Sequence, residues 1–60
     1  MKNINKKSST QQLEEVKQGD IIKDETGKIG EVENIEVISR KNETQYYYKI
    51  KNDGTVLVIK

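Results

Sequence analysis

Apolar positions along this chain fall into short clusters divided by polar turns, and only one cluster has helical spacing. Leu13 and Val16 lie three apart and share a face if the chain is helical. Ser9 with Gln12 fits the capping-box spacing ahead of them, and Gly19 after Gln18 supplies a stop signal. The pattern predicts a helical segment over Thr10 to Lys17. At about two turns it survives only if Leu13 and Val16 dock on the rest of the domain. Residues Met1 to Ser9 carry one isolated Ile4 among Lys, Asn and Ser, too little apolar area to offset the entropy of ordering them. They are expected to be a flexible basic tail.

The remaining clusters read as strands. Asp20 to Asp24 is a first short strand around Ile21 and Ile22. Asp24-Glu25-Thr26-Gly27 has turn chemistry, with acidic side chains able to bond their own backbone and a glycine free to take positive φ. From Ile29 to Ser39 the alternation is broken: Ile29 lies on one parity and Val32 on the other, Ile35 and Val37 return to the first, and Ile38 leaves it again. One extra residue in a strand swaps the parity that faces the core, so a bulge or sharp bend is expected here. Gly30 marks a place where the backbone bends or is closely approached. Arg40 to Glu43 forms a polar hairpin loop, and Thr44 to Lys51 a strand of strong β-formers. In that strand Tyr46, Tyr48 and Ile50 share one face, and Gln45, Tyr47, Lys49 and Lys51 the other. Asn52-Asp53-Gly54 is a hairpin signal, and Thr55 to Ile59 completes the chain's strands. The unbroken Val56-Leu57-Val58-Ile59 implies burial on both faces, or a partner covering one of them.

Four to five short strands with Gly- and Asp-marked turns and no long helix predict a mainly β domain over residues 10–60. The architecture expected is a small antiparallel barrel with a short N-terminal helical turn. Its core is expected in Ile21, Ile22, Ile29, Val32, Ile35, Val37, Ile38, Ile50 and Val56 to Ile59, helped by tyrosine. A barrel also removes the edge that an aliphatic last strand would offer to aggregation.

One stretch adds a resemblance. Val16-Lys-Gln-Gly19-Asp20-Ile21-Ile22, followed by Gly27-Lys-Ile-Gly30-Glu-Val32-Glu-Asn-Ile35, resembles the KOW-type signature of SH3-like barrels. In that family a Gly-Asp before a strand leads through a glycine turn to Gly-x-Val-x-x-Ile. The match spans the twenty residues from Val16 to Ile35. It implies an SH3-like fold, a scaffold that serves ribosomal RNA, transcription complexes, peptides and phage assemblies alike. The turn here carries Asp24 and Glu25 where RNA-binding members are commonly basic, and Glu31, Glu33 and Glu36 line the following strand. No functional residue of the family is carried over.

Composition narrows the function classes. The chain has 60 residues, enough for one small domain, with 32% hydrophobic and 35% charged residues and neither Phe nor Trp. Its net charge of +1 is too near neutral for the strong field of a dedicated nucleic-acid binder. With no cysteine or histidine, disulfides, thiolate zinc sites, cysteine nucleophiles and the commonest general base and metal ligand are all lacking. The carboxylates Asp20, Asp24, Glu25, Glu31 and Glu33 match neither an EF-hand nor a catalytic spacing. Gly27 and Gly30 lack the rest of a phosphate loop. The expectation is a non-enzyme with no cofactor, metal or small-molecule substrate. No long apolar run or signal-type segment stands out, so a cytoplasmic setting without a membrane span is expected. Heavy use of Lys, Asn and Ile is what AT-rich coding produces, which suggests a low-GC bacterium or its phage.

One surface stands out as a candidate site. Tyr47 projects from the face opposite Tyr46 and Tyr48, between polar neighbours that include Lys49 and Lys51. An aromatic ring beside cations can stack on a nucleobase, a proline or an aromatic partner residue. Tyr47, Lys49 and Lys51, with Arg40 and Lys41 from the adjoining loop, form the predicted binding face. The function expected is a small protein-interaction module, such as a phage or mobile-element accessory protein, or a subunit that self-associates through its last strand. The alternative is a nucleic-acid-binding module using Lys2, Lys6 and Lys7 of the tail with the Tyr47 face.

Overall fold

The computed structural model describes residues 1–60. Five strands, β1 (Lys2–Asn3), β2 (Ile21–Lys23), β3 (Ile29–Ser39), β4 (Thr44–Ile50) and β5 (Thr55–Ile59), form one sheet in sequence order. A single helix, α1 (Thr10–Glu14), lies between β1 and β2. The neighbours from β2 to β5 are antiparallel, but β1 runs parallel to β2, pairing Lys2 with Ile22 and Asn3 with Lys23. Parallel neighbours need a crossover connection of a dozen or more residues, and the segment holding α1 supplies it. The expected all-antiparallel arrangement is therefore corrected to a mixed sheet. That sheet is open: β1 and β5 stand at its two ends and do not pair.

The first nine residues also depart from expectation. Instead of a free tail, they form β1 and a turn, and Ile4, 2% exposed, joins the core. The Ile4 N–H donates to Lys23 C=O at 2.8 Å, and Lys2 Nζ reaches both Asp20 Oδ2 (2.8 Å) and Glu15 C=O (2.9 Å). One apolar side chain in a polar stretch is a weak signal, because it counts only once the sheet edge and α1 give it somewhere to bury.

Helix α1 is shorter than predicted but begins as its sequence dictates. Ser9 Oγ accepts from Gln12 N–H at 3.1 Å, and Gln12 Oε1 accepts from Ser9 N–H at 2.9 Å, the reciprocal capping box. Leu13 and Val16 are both buried. Tyr48 clamps the helix to the sheet by donating its buried hydroxyl to Leu13 C=O at 2.6 Å.

The long β3 is the axis of the fold. Its first part pairs with β2 and its second with β4, and the register slips between Val32 and Asn34. This bulge explains the broken alternation. Before it the even positions face the core, with Val32 buried; after it Ile35 packs on the core from the odd parity. Gly30 sits where a Cβ would run into Ile50 Cγ2, so a bare backbone is needed for β3 to cross Ile50. The same bulge corrects the expected core. Ile29 precedes it on the outward parity and, like its cross-strand neighbour's companion Ile21, lies on the exposed side. Val37, toward the β3–β4 loop, is 53% exposed.

The observed core is Ile4, Leu13, Val16, Ile22, Val32, Tyr46, Tyr48, Ile50, Val56 and Val58, with Ile35 packed against it. The rings of Tyr46 and Tyr48 stack with centroids 6.5 Å apart and planes 9° from parallel. The turns use the expected chemistry. Asp24 Oδ1 accepts from Thr26 N–H, Thr26 Oγ1 and Lys28 N–H within 2.9 Å, while Gly27 takes φ +94°. In the β4–β5 turn, the left-handed residues are Asn52 and Gly54, and Asp53 lies between them.

Candidate functional site

Two surfaces can meet a partner, and they lie on different features of the β4–β5 hairpin. The first is the predicted Tyr47 face. Period-two alternation on β4 points Gln45, Tyr47 and Lys49 away from the core. Tyr47 stands opposite Glu36 of β3 and Leu57 of β5. Its hydroxyl donates to Gln45 Oε1 at 2.8 Å, and Gln45 Nε2 donates to Glu43 Oε2 at 2.6 Å, so the half-buried ring is tied along its own strand. Beside it Asn34, Glu36, Tyr47, Lys49 and Thr55 line a shallow depression of about 190 Å³.

The predicted basic residues do not converge there. Lys49 flanks Tyr47, and Lys51 follows in the turn, its N–H donating to Glu31 C=O at 2.9 Å. Arg40 and Lys41 sit in the β3–β4 loop at the opposite end of β4. The five residue steps from Thr44 to Lys49, at about 3.4 Å each, separate these groups by roughly 17 Å. Glu36 and Glu43 intervene, so this surface has mixed charge.

The second surface is the free edge of β5, together with the cleft beside it. Thr44 and Lys60 exchange both backbone hydrogen bonds, at 2.8 and 2.9 Å, and Ile50 N–H donates to Gly54 C=O at 2.7 Å. These bonds set the phase of the antiparallel ladder. Tyr46 with Val58 and Tyr48 with Val56 are the other hydrogen-bonded pairs, so the N–H and C=O groups of Thr55, Leu57 and Ile59 point away from β4. Val56 and Val58 face the core, whereas Leu57 and Ile59 are 48% and 47% exposed.

Across the edge lies a cleft of about 350 Å³, walled on one side by Thr55–Ile59 and on the other by Ile4–Lys6 and Asp24–Thr26. A hydrogen bond ties the walls at each end. Lys28 Nζ donates to Asp53 C=O at 3.1 Å, fastening the β2–β3 turn beside the start of β5. Lys60 Nζ donates to Lys6 C=O at 3.2 Å, fastening the N-terminal segment beside its finish. The end near Thr55 therefore has Asp24, Glu25 and Asp53 against one cation, Lys28, and the end near Ile59 has Lys6 and Lys60. The Thr26 hydroxyl, hydrogen-bonded to Asp24, holds that carboxyl below its ordinary range.

Other ionisable groups have structural partners. Asp20 is likewise held low, first by its hydrogen bond from Lys2 and then by Lys17 N–H. Burial, with smaller effects from Tyr46 and Glu14, pushes the Tyr48 phenol up to about 12. No three carboxylates gather as a metal-holding group, and no helix is long and apolar enough to cross a membrane. Comparisons with protein-family models, curated proteins and solved structures return no match to this chain.

The cleft has no residue motif to announce it. Its one trace in the sequence is the unbroken run Val56-Leu57-Val58-Ile59, whose lack of alternation leaves Leu57 and Ile59 apolar on the uncovered face.

Proposed function

We propose that this chain is a small non-catalytic protein-interaction module. The observation that carries the reading is the β5 edge, where unpaired backbone groups of Thr55, Leu57 and Ile59 lie next to exposed aliphatic side chains. Native sheets usually shorten, charge or cover such an edge, and one left open and apolar is suited to pairing with another chain. The curled arrangement, with β3 bent at its bulge and shared between two strand pairs, supports an SH3-like, KOW-like reading of the fold. A phage or mobile-element accessory role in the cytoplasm fits the composition.

The nucleic-acid alternative has less behind it. Lys2 is engaged by Asp20, and the Tyr47 face is interrupted by Glu36 and Glu43. Titration of labelled generic RNA and DNA at low salt tests the choice: no binding is expected. An affinity that falls steeply and linearly in log–log form with salt would favour the nucleic-acid reading instead.

A further inference from the structure

We propose that the cleft between β5 and the N-terminal segment receives one extended peptide strand, about five residues long, that pairs antiparallel with β5 and carries an acidic residue at its N-terminal end and a basic residue at its C-terminal end. This rests on the interaction-module reading and specifies the partner's chemistry.

Backbone geometry comes first. Thr55, Leu57 and Ile59 present their N–H and C=O groups toward the cleft, so an incoming antiparallel strand forms hydrogen-bonded pairs with alternate residues of β5. Its intervening side chains then lie on the inward face with Val56 and Val58, beside the Ile4–Lys6 wall; Ile4, Val56 and Val58 are already buried, so only small β-branched apolar residues suit these positions. The side chain opposite Leu57 lies on the outer face, where it covers part of that exposed surface.

Charge sets the direction. An antiparallel strand enters with its N-terminal end beside Ile59 and leaves with its C-terminal end beside Thr55. An acidic first residue stands at the end of the cleft that holds Lys6 and Lys60, and a basic last residue at the end that holds Asp24 and Glu25. The parallel orientation with the same sequence brings like charges together at both ends.

The second wall selects a single strand over a second copy of this protein. The β5 of another copy carries β4 along its other edge, and that strand would have to occupy the space held by Ile4–Lys6 and Asp24–Thr26. Both walls are fastened at their ends by Lys28 and Lys60. A segment free on both edges has no such conflict.

The test uses the full chain, isotope-labelled, with the pentapeptide acetyl-Glu-Val-Thr-Val-Lys-amide at millimolar concentration. In the free protein, the amides of Val56 and Val58 are expected to be protected from hydrogen exchange and those of Leu57 and Ile59 to exchange freely. Peptide should shift resonances of Thr55–Ile59 and Ile4–Lys6 and slow exchange at Leu57 and Ile59. N-methylation of the peptide's central residue removes a pairing N–H and should weaken binding about fivefold or more. Exchanging the terminal Glu and Lys should weaken it roughly two- to fivefold at low salt. Equal binding by the N-methylated peptide, or no shifts at β5 at millimolar peptide, would overturn the proposal. Shifts confined to Tyr47 and Lys49 would overturn it too, while leaving the interaction-module reading in place. Protection of Leu57 and Ile59 without peptide, with sedimentation that speeds up as protein concentration rises, would overturn it in favour of a second copy. Salt-sensitive binding of generic RNA or DNA, by contrast, bears on the module reading itself.

Discussion

The two edges of the sheet are built on opposite principles. At one end β1 is only two residues long, carries Lys2, and is anchored by Ile4 in the core and by the Lys2–Asp20 ion pair at 2.8 Å. At the other end β5 is five residues long, carries no charge, and leaves Leu57 and Ile59 half-exposed beside unpaired backbone groups. Short strands and lysines are how edges are kept from pairing with other chains. The β1 edge follows that practice and β5 does not, which marks β5 as the side of the sheet open to a partner. Removing side chains at the first edge should therefore cost stability, and at the second it should cost binding.

The largest effect is expected for Ile4→Ala. Truncating a fully buried isoleucine should destabilise the fold by about 2–5 kcal/mol, read from chemical denaturation. A loss under about 0.5 kcal/mol would mean that the N-terminal segment is not part of the folded unit, and the contrast between the edges would disappear.

Two further substitutions probe the body that holds both edges. Tyr48→Phe leaves the buried Leu13 C=O without its donor, and about 1–3 kcal/mol of stability should be lost. Gly30→Ala forces a methyl group into Ile50 and should cost about 1–3 kcal/mol by overpacking, because Cγ2 sits directly on the branched Cβ of a buried side chain and cannot swing aside freely.

Alkaline titration sharpens the Tyr48 prediction. The fold raises this phenol from 10.0 to about 12, so it favours the neutral form. The resulting stability is complete below pH 10 and is lost as pH climbs through 10 toward about 12. Wild-type stability should fall across that window, and Tyr48→Phe should remove this contribution to the fall. An equal slope in both proteins would show that Tyr48 does not carry it.

The smallest effect on stability is expected at the open edge. Leu57→Lys places a charge on an exposed position, so the denaturation midpoint should move by no more than about 0.5 kcal/mol in free-energy terms. If its stability falls as far as that of Ile4→Ala, Leu57 is already covered and β5 is not a free edge.

Much of the local structure was legible in the chain because it depends on neighbours in sequence. Ser9 and Gln12 announced the helix start, Asp24 to Gly27 the turn, and Tyr46, Tyr48 and Ile50 the inward face of β4. The parity slip between Ile29 and Ile35 announced the bulge, though not which side of it each residue would face; that is why Ile29 was expected inside and is outside. Of the predicted binding face, Tyr47 and Lys49 do adjoin, but Arg40 and Lys41 lie at the far end of β4, because adjacency along a hairpin is adjacency to its loop and not to the whole strand.

What the sequence determined alone, then, was the punctuation: turns, caps, strand faces and the existence of a bulge, all governed by backbone preferences and side-chain period within a few residues. Tertiary structure alone decided three things. It put the solitary Ile4 in the core, set β1 parallel to β2, and left the sheet open with a cleft of about 350 Å³ between its N-terminal segment and β5. Each depends on segments far apart in the chain. Burial of Ile4 becomes favourable only when sheet and helix together supply its surroundings, and a cleft between two edges has no local signature because neither wall encodes the space between them.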